Sequence, residues 1–165
     1  MVDTYLQALG LLAATPDSLQ AVIAANPPEA LDRSPAPDAW SIRQILAHLL
    51  HIETAVLPVR VRQMLAEPGA AFPDAPPAPP PADVETMLAR WTQARTGHLV
   101  WLRGLKDEDL ARTGRHPRYG TISVREQVVE WAYHDLDHLR QILATIQGVL
   151  YADIGGYRAL YPLPV

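Results

Sequence analysis

The chain has 165 residues, 48% of them hydrophobic and 19% charged, a formal net charge of −4 and no cysteine; this suits one domain over residues 1–165 and excludes disulfides, thiolate metal sites and cysteine nucleophiles. Its 14 basic residues, all arginine except Lys106, are scattered and leave no electrostatic footprint for nucleic acid. No apolar run approaches the roughly 20 residues of a membrane span, and the opening MVDTYLQALG lacks the basic flank of a secretory signal, so a cytoplasmic protein without a membrane partner is expected.

Four segments carry helical periodicity. The first, residues 3–25, has Leu6, Leu9, Leu12, Leu19, Val22 and Ile23 on one side; Thr15 before Pro16 looks like an N-cap and restart, giving one kinked helix or two short ones. A loop follows over residues 26–39. Ser41 opens the second helix, which carries Ile42, Ile45, Leu49, Ile52, Val56 and Val59, is kinked at Pro58, and stops at Pro68-Gly69. Residues 69–82 end in PPAPPP; at about 3.1 Å per residue in polyproline form they could span some 40 Å, a long connection between helices two and three. The third helix covers residues 83–103, with Val84, Leu88, Trp91, Arg95, His98 and Leu102 along one side. The stretch KDEDLARTGRHPRYGTI reads as loop, with at most a short extended piece near residues 116–122. Ser123 and Glu126 form a capping box for the fourth helix, which ends near Gly148. The aromatic residues of the tail, 149–165, suggest that it packs on the bundle. The expected fold is all-α, a four-helix bundle.

Chemistry concentrates on two of these helices. His134 and His138 are four residues apart, so their imidazoles project from one helical face one turn apart. At about 100° per residue, His48 sits on the shoulder of the second helix's stripe, while His51 falls about 140° from its centre and should be solvated. Glu53 lies on the opposite shoulder, half-buried, where a carboxylate needs a partner. Asp135 falls near the middle of the fourth helix's apolar stripe and Gln141 continues the line of His134 and His138. A face that presents His, Asp, His and Gln where a core would want Leu or Val breaks local consistency, as functional sites do. A lone inward histidine is more often a hydrogen-bonded core residue than a ligand, and an HxxxH pair alone is only moderately specific. His48, His134 and His138 together make a three-nitrogen divalent site with a position left open. His98, on the apolar side of the third helix, reads first as core or pocket wall and only in the alternative as a fourth ligand; His116 lies in a loop away from the site, and Trp40 could wall a pocket.

The run Trp40-Ser41-Ile42-Arg43-Gln44-Ile45-Leu46-Ala47-His48-Leu49, with Glu53 five beyond His48, resembles the first signature of the DinB/YfiT-like family. His116 to Glu126 is similar to the segment entering that family's last core helix, and His134-Asp135-Leu136-Asp137-His138-Leu139-Arg140-Gln141-Ile142 resembles its H-D-x-x-H-x-x-Q-I pattern. The resemblance covers about residues 1–150. It implies a four-helix bundle with a long connection between helices two and three, often a homodimer, holding nickel or zinc on His48, His134 and His138. Relatives include thiol S-transferases that use low-molecular-weight thiols, a maleylpyruvate isomerase, and hydrolases without assigned substrates.

Two functions of different kind fit these residues. In the first, a metal-dependent enzyme, the ion lowers the pKa of a bound water or thiol that attacks a small electrophilic substrate; Asp135 or Glu53 orients a ligand imidazole through its second nitrogen, and Gln141 positions the reacting group. In the second, a non-catalytic metal-binding, stress-associated or interaction protein, the ion only ties helices together. A fourth protein ligand such as His98 would mark the second.

Overall fold

Asp3 accepts the Tyr5 amide at 3.0 Å and caps α1 (Thr4–Ala24). In this computed structural model, which describes residues 3–161, α1 runs unbroken through Pro16. Thr15 is no cap: its hydroxyl donates to the Leu11 carbonyl at 2.7 Å, one turn back. Proline has no N–H for the Leu12 carbonyl, and that oxygen accepts instead from Arg95 Nη1 of a neighbouring helix at 3.0 Å. One helix therefore replaces the expected restart, its missing bond supplied from outside.

Ser41 and Gln44 form a reciprocal capping box, with Ser41 N donating to Gln44 Oε1 at 2.9 Å, and open α2 (Ile42–His51). The rod continues through a π-helical turn, Ile52–Val56, into α3 (Leu57–Ala66). The widened turn stands directly ahead of Pro58, which cannot donate to the Thr54 carbonyl. It also breaks the 3.6-residue phase, and Glu53 within it is fully buried where the phase suggests half-burial.

Asp83 accepts the Thr86 amide at 2.9 Å and starts α4 (Val84–Leu102). A short α5 (Asp107–Leu110) leads into a hairpin of β1 (Thr113–His116) and β2 (Gly120–Ser123), with Thr113 opposite Ser123 and His116 opposite Gly120. Gly120, at φ 78°, occupies the left-handed region that its place at the turn requires. The short extended piece expected near residues 116–122 is thus one arm and the turn of a hairpin, and residues 113–116, read as loop, form the other arm. Its strands are four residues long and carry Arg, His and Thr without apolar alternation, so the period-two signal is lacking. The long α3–α4 connection is present and partly tied down: Phe72 N donates to Arg115 O and Arg115 N to Ala70 O, both at 2.9 Å. Phe72 is buried against Gly114, where a Cβ would overlap the Phe72 ring and stand 2.9 Å from Met64 Cγ.

The Ser123–Glu126 capping box opens α6 (Val124–Tyr151), which extends three residues past Gly148. The tail does not pack on the bundle as expected. Tyr157, Leu160 and Tyr161 are exposed, and its polar contacts run from Arg158 Nε to the Tyr151 carbonyl and from Tyr151 Oη to the Tyr161 carbonyl. Residues 162–165 of that expectation lie outside the described residues. Among the described residues no helix is long and apolar enough to cross a membrane.

The result is a four-helix bundle in which α1 and the α2–α3 rod each pack against both α4 and α6. The core has two apolar parts. One gathers Leu9, Leu12, Val61, Leu102, Val128 and Trp131; the other gathers Leu19, Ile42, Ile45, Leu49, Trp91 and Ile142. Between them Glu53, Arg95 and Asp135 are all at most 2% exposed.

Candidate metal centre

His48 comes from α2, and His134 and His138 from successive turns of α6. Their Nε2 atoms converge, with His48 to His134 at 3.1 Å and His138 to His134 at 3.2 Å. Nitrogens coordinated at about 2.05 Å around a tetrahedral ion would stand roughly 3.3 Å apart, so the spacing fits a shared divalent cation. No fourth His, Asp or Glu joins them among the described residues. His98, the candidate fourth ligand, is elsewhere: its Nδ1 is 2.8 Å from Glu53 Oε1, and its ring packs on Trp101 and Trp131.

Electrostatics favour the ligating form. Burial, reinforced by the neighbouring imidazoles, pushes His134 down to about 3 and His48 down to about 4. Burial also lowers His138, against the opposing pull of Gln141 and Asp137. All three are therefore neutral at pH 7, the state in which imidazole binds metal. The tautomer of His138 is set by a relay. Gln141 Nε2 donates to Asp137 Oδ2 at 2.9 Å, which turns Gln141 Oε1 toward His138 Nδ1 at 3.0 Å. His138 Nδ1 thus carries the proton and its Nε2 lone pair points into the cluster. One proton on His134 Nε2 cannot serve both of its close nitrogen contacts, whereas a cation at the centre of the three serves every lone pair. His134 Nδ1, moreover, is buried with no hydrogen-bond partner. The donor set and its spacing fit a divalent metal.

The supporting residues differ from expectation. Gln141 does not position a reacting group, because both ends of its amide are committed to His138 and Asp137. Asp135 and Glu53 orient no ligand imidazole; both hold Arg95. Its Nε and Nη2 form a fork on the two oxygens of Glu53 at 2.9 and 2.7 Å, and Nη1 reaches Asp135 Oδ2 at 2.6 Å. Trp131 Nε1 adds a bond to Glu53 Oε2 at 2.9 Å. Burial pushes the Asp135 carboxyl up to about 6 against the pull of Arg95. His51, expected in solvent, is 8% exposed, because the 28–32 turn, α4 and α6 together cover more than one face of α2.

Trp40 does wall the site. Its ring lies 5.0 Å from that of His48 and is stacked over that of His138 at 6.2 Å. Beside it lies a cleft of about 480 Å³, lined by Trp40, Ile45, His138, Arg140, Gln141 and Thr145, so that His138 is the one imidazole of the three on its wall. It shares Pro35, Ala144 and Thr145 with a second hollow of about 460 Å³ that reaches Arg33 and Gly148.

Residues 11–142, spanning all three imidazoles, match the DinB superfamily. The chain belongs to that superfamily. Among the solved structures that match, two illustrate the shared four-helix fold. YfiT from Bacillus subtilis, described as a probable metal-dependent hydrolase with an unusual four-helix bundle topology, matches at a TM-score of 0.78 and 19% identity over 88% of this chain and 87% of its own. TT2238, described as a four-helix bundle protein, matches at 0.64 and 23% identity over 85% of this chain and 98% of its own. No curated protein matches the chain. Arg95 is the buried residue beside the site whose part the sequence alone did not disclose. The available signal was an arginine in register with Trp91 and Leu102 on a buried helix face, in a chain that also places two acids on inward faces.

Proposed function

We propose that this protein is a metal-dependent enzyme that uses His48, His134 and His138 to hold zinc or nickel and acts on a small electrophilic molecule bound in the cleft beside Trp40. The observation that carries the reading is the set of three neutral imidazole nitrogens with no fourth His, Asp or Glu ligand among the described residues, one of them, His138, lining a cleft; three-ligand sites with an open position are characteristic of catalytic zinc, closed four-ligand sites of structural zinc. The ion supplies Lewis acidity, lowering the pKa of a water or thiol so that a nucleophile is available near neutral pH. The protein's own groups do the rest. Gln141 keeps the proton of His138 on Nδ1, away from the ion. Trp40 covers one side of the imidazoles and offers an apolar face to the substrate. Arg140, held by Asp137 at 2.9 Å, brings positive charge to the cleft wall, where it favours an anionic group or charge developing on oxygen. The cleft's volume suits a small molecule.

Hydrolysis is the leading reaction, supported by the description of YfiT; transfer of a low-molecular-weight thiol uses the same geometry with a different nucleophile. The test is elemental analysis of untagged protein, followed by assay of the zinc and nickel forms against panels of small esters, amides and thiol-reactive electrophiles, with and without added thiol. About one metal per chain, lost in His48→Ala and His138→Ala, together with turnover that follows metal content, is expected. Metal bound with no turnover and no exchangeable ligand in the open position would instead fit the non-catalytic role.

A further inference from the structure

We propose that Arg95 is a positioning residue for the metal centre: by bridging Glu53 and Asp135 it fixes the separation of the two helices whose imidazoles must meet. The proposal rests on the reading that His48, His134 and His138 hold a metal. Glu53 lies five residues beyond His48 on the same rod, and Asp135 lies between His134 and His138 on α6. Arg95 belongs to neither; it reaches both from α4, with Nη1 also donating to Leu12 O of α1 at 3.0 Å. One guanidinium thus meets all four rods of the bundle at the polar layer between the two apolar parts of the core.

Three considerations favour positioning over simple stabilisation. First, burying three charges is costly, and well-packed apolar residues of similar volume commonly stabilise a fold as well or better, so stability alone does not explain the layer. Second, apolar packing is non-directional, and two apolar parts alone leave α2 and α6 free to adjust relative to each other. The forked Arg95–Glu53 pair admits one geometry. Third, the other groups are arranged to hold the guanidinium still. Pro16 leaves the Leu12 carbonyl free to accept from it, Trp131 Nε1 and His98 Nδ1 pin Glu53 at 2.9 and 2.8 Å, and the Trp91 ring lies 4.7 Å from the guanidinium carbon. None of these groups belongs to the imidazole cluster. Sites that bind metal through few ligands depend on such support being placed to within a fraction of an ångström.

The test uses the full chain in three forms: wild type, Arg95→Lys, and a triple variant Glu53→Leu/Arg95→Met/Asp135→Leu that replaces the whole network with apolar side chains. Arg95→Lys retains every charge and loses the fork, so a change in affinity there is not an effect of net charge. Zinc affinity is measured by chelator competition, coordination by the visible absorption of the cobalt(II) form, and folding by thermal melting of the metal-free proteins. The expected result is a loss of zinc affinity of at least 10-fold in both variants, with an altered cobalt spectrum, while the triple variant melts no lower than wild type. Folded variants with wild-type affinity and spectrum overturn the proposal. So does a triple variant that fails to fold, because the network would then be a requirement of the fold itself. If wild type binds no zinc, it is the reading of the metal centre that fails, an outcome distinct from either of these.

Discussion

Replacing His134 with leucine separates the cost of the imidazole cluster from its use. In most cores a large change of side-chain chemistry is destabilising, by about 1–3 kcal/mol when it strains the packing. Here the native residue is itself unfavourable: His134 Nδ1 is buried without a partner, a situation that costs about 1–3 kcal/mol, against about 1 kcal/mol for the lost contact with a neighbouring imidazole. The metal-free leucine variant should therefore be at least as stable as wild type at pH 7.5. Acidification should widen the gap. His134 is depressed from 6.5 to about 3, so between those values the unfolded chain binds a proton that the native chain refuses, and wild type loses stability as the pH falls. At pH 5 that penalty is about 2 kcal/mol, discounted to about 1 for a partly solvated group. The leucine variant is free of it, and His48 and His138 also lose a like-charged neighbour on protonation. Urea melts in the presence of a chelator at pH 7.5 and 5.0 measure both effects. Adding zinc at 100 times its dissociation constant should stabilise wild type by about 2.7 kcal/mol and leave the variant unmoved. A chelated variant more than 2 kcal/mol weaker than wild type at pH 7.5, or one with the same pH slope, would refute the picture of three imidazoles held neutral, with lone pairs available to a divalent cation.

Three further outcomes are expected. Gln141→Leu removes the acceptor that fixes the His138 tautomer and should lower zinc affinity about 10–100-fold, measured by chelator competition, while the melting temperature of the metal-free protein changes little. Calorimetry at pH 6 in buffers of different ionisation enthalpy should show less than one proton released per zinc bound, because His48 and His134 are already neutral; three ordinary imidazoles would release about two. Gly114→Ala forces a Cβ into the Phe72 ring and should cost about 1–3 kcal/mol in urea melts with zinc stoichiometry unchanged.

Much of the fold is written locally and can be read from the chain. The Ser41–Gln44, Asp83–Thr86 and Ser123–Glu126 caps all lie within three residues, so the starts of α2, α4 and α6 need no tertiary knowledge. The histidine pair on α6 is equally local. His48 is reached by periodicity because it precedes the π-helical turn, so the ideal phase still holds there. Beyond that point the phase fails, and with it the half-buried placement of Glu53. The hairpin escapes because its pairing is secured by backbone bonds to residues 69–72 of the long connection, which no pattern within KDEDLARTGRHPRYGTI records.

The partner of the buried acids is a different kind of omission. Glu53 and Asp135 both ask for a counterion, and neighbouring imidazoles were the obvious candidates because they are close in sequence. Depressed histidines cannot serve: with His134 and His48 neutral at pH 7, they offer a carboxylate at most an N–H, and their Nε2 atoms are turned to one another. A permanently charged arginine from a third helix answers both acids at once. The division follows from chemistry. Ligand imidazoles must stay neutral and keep their lone pairs free, so the buried negative charge has to be neutralised by a group that never gives up its proton, and the bundle needs α4 to supply it.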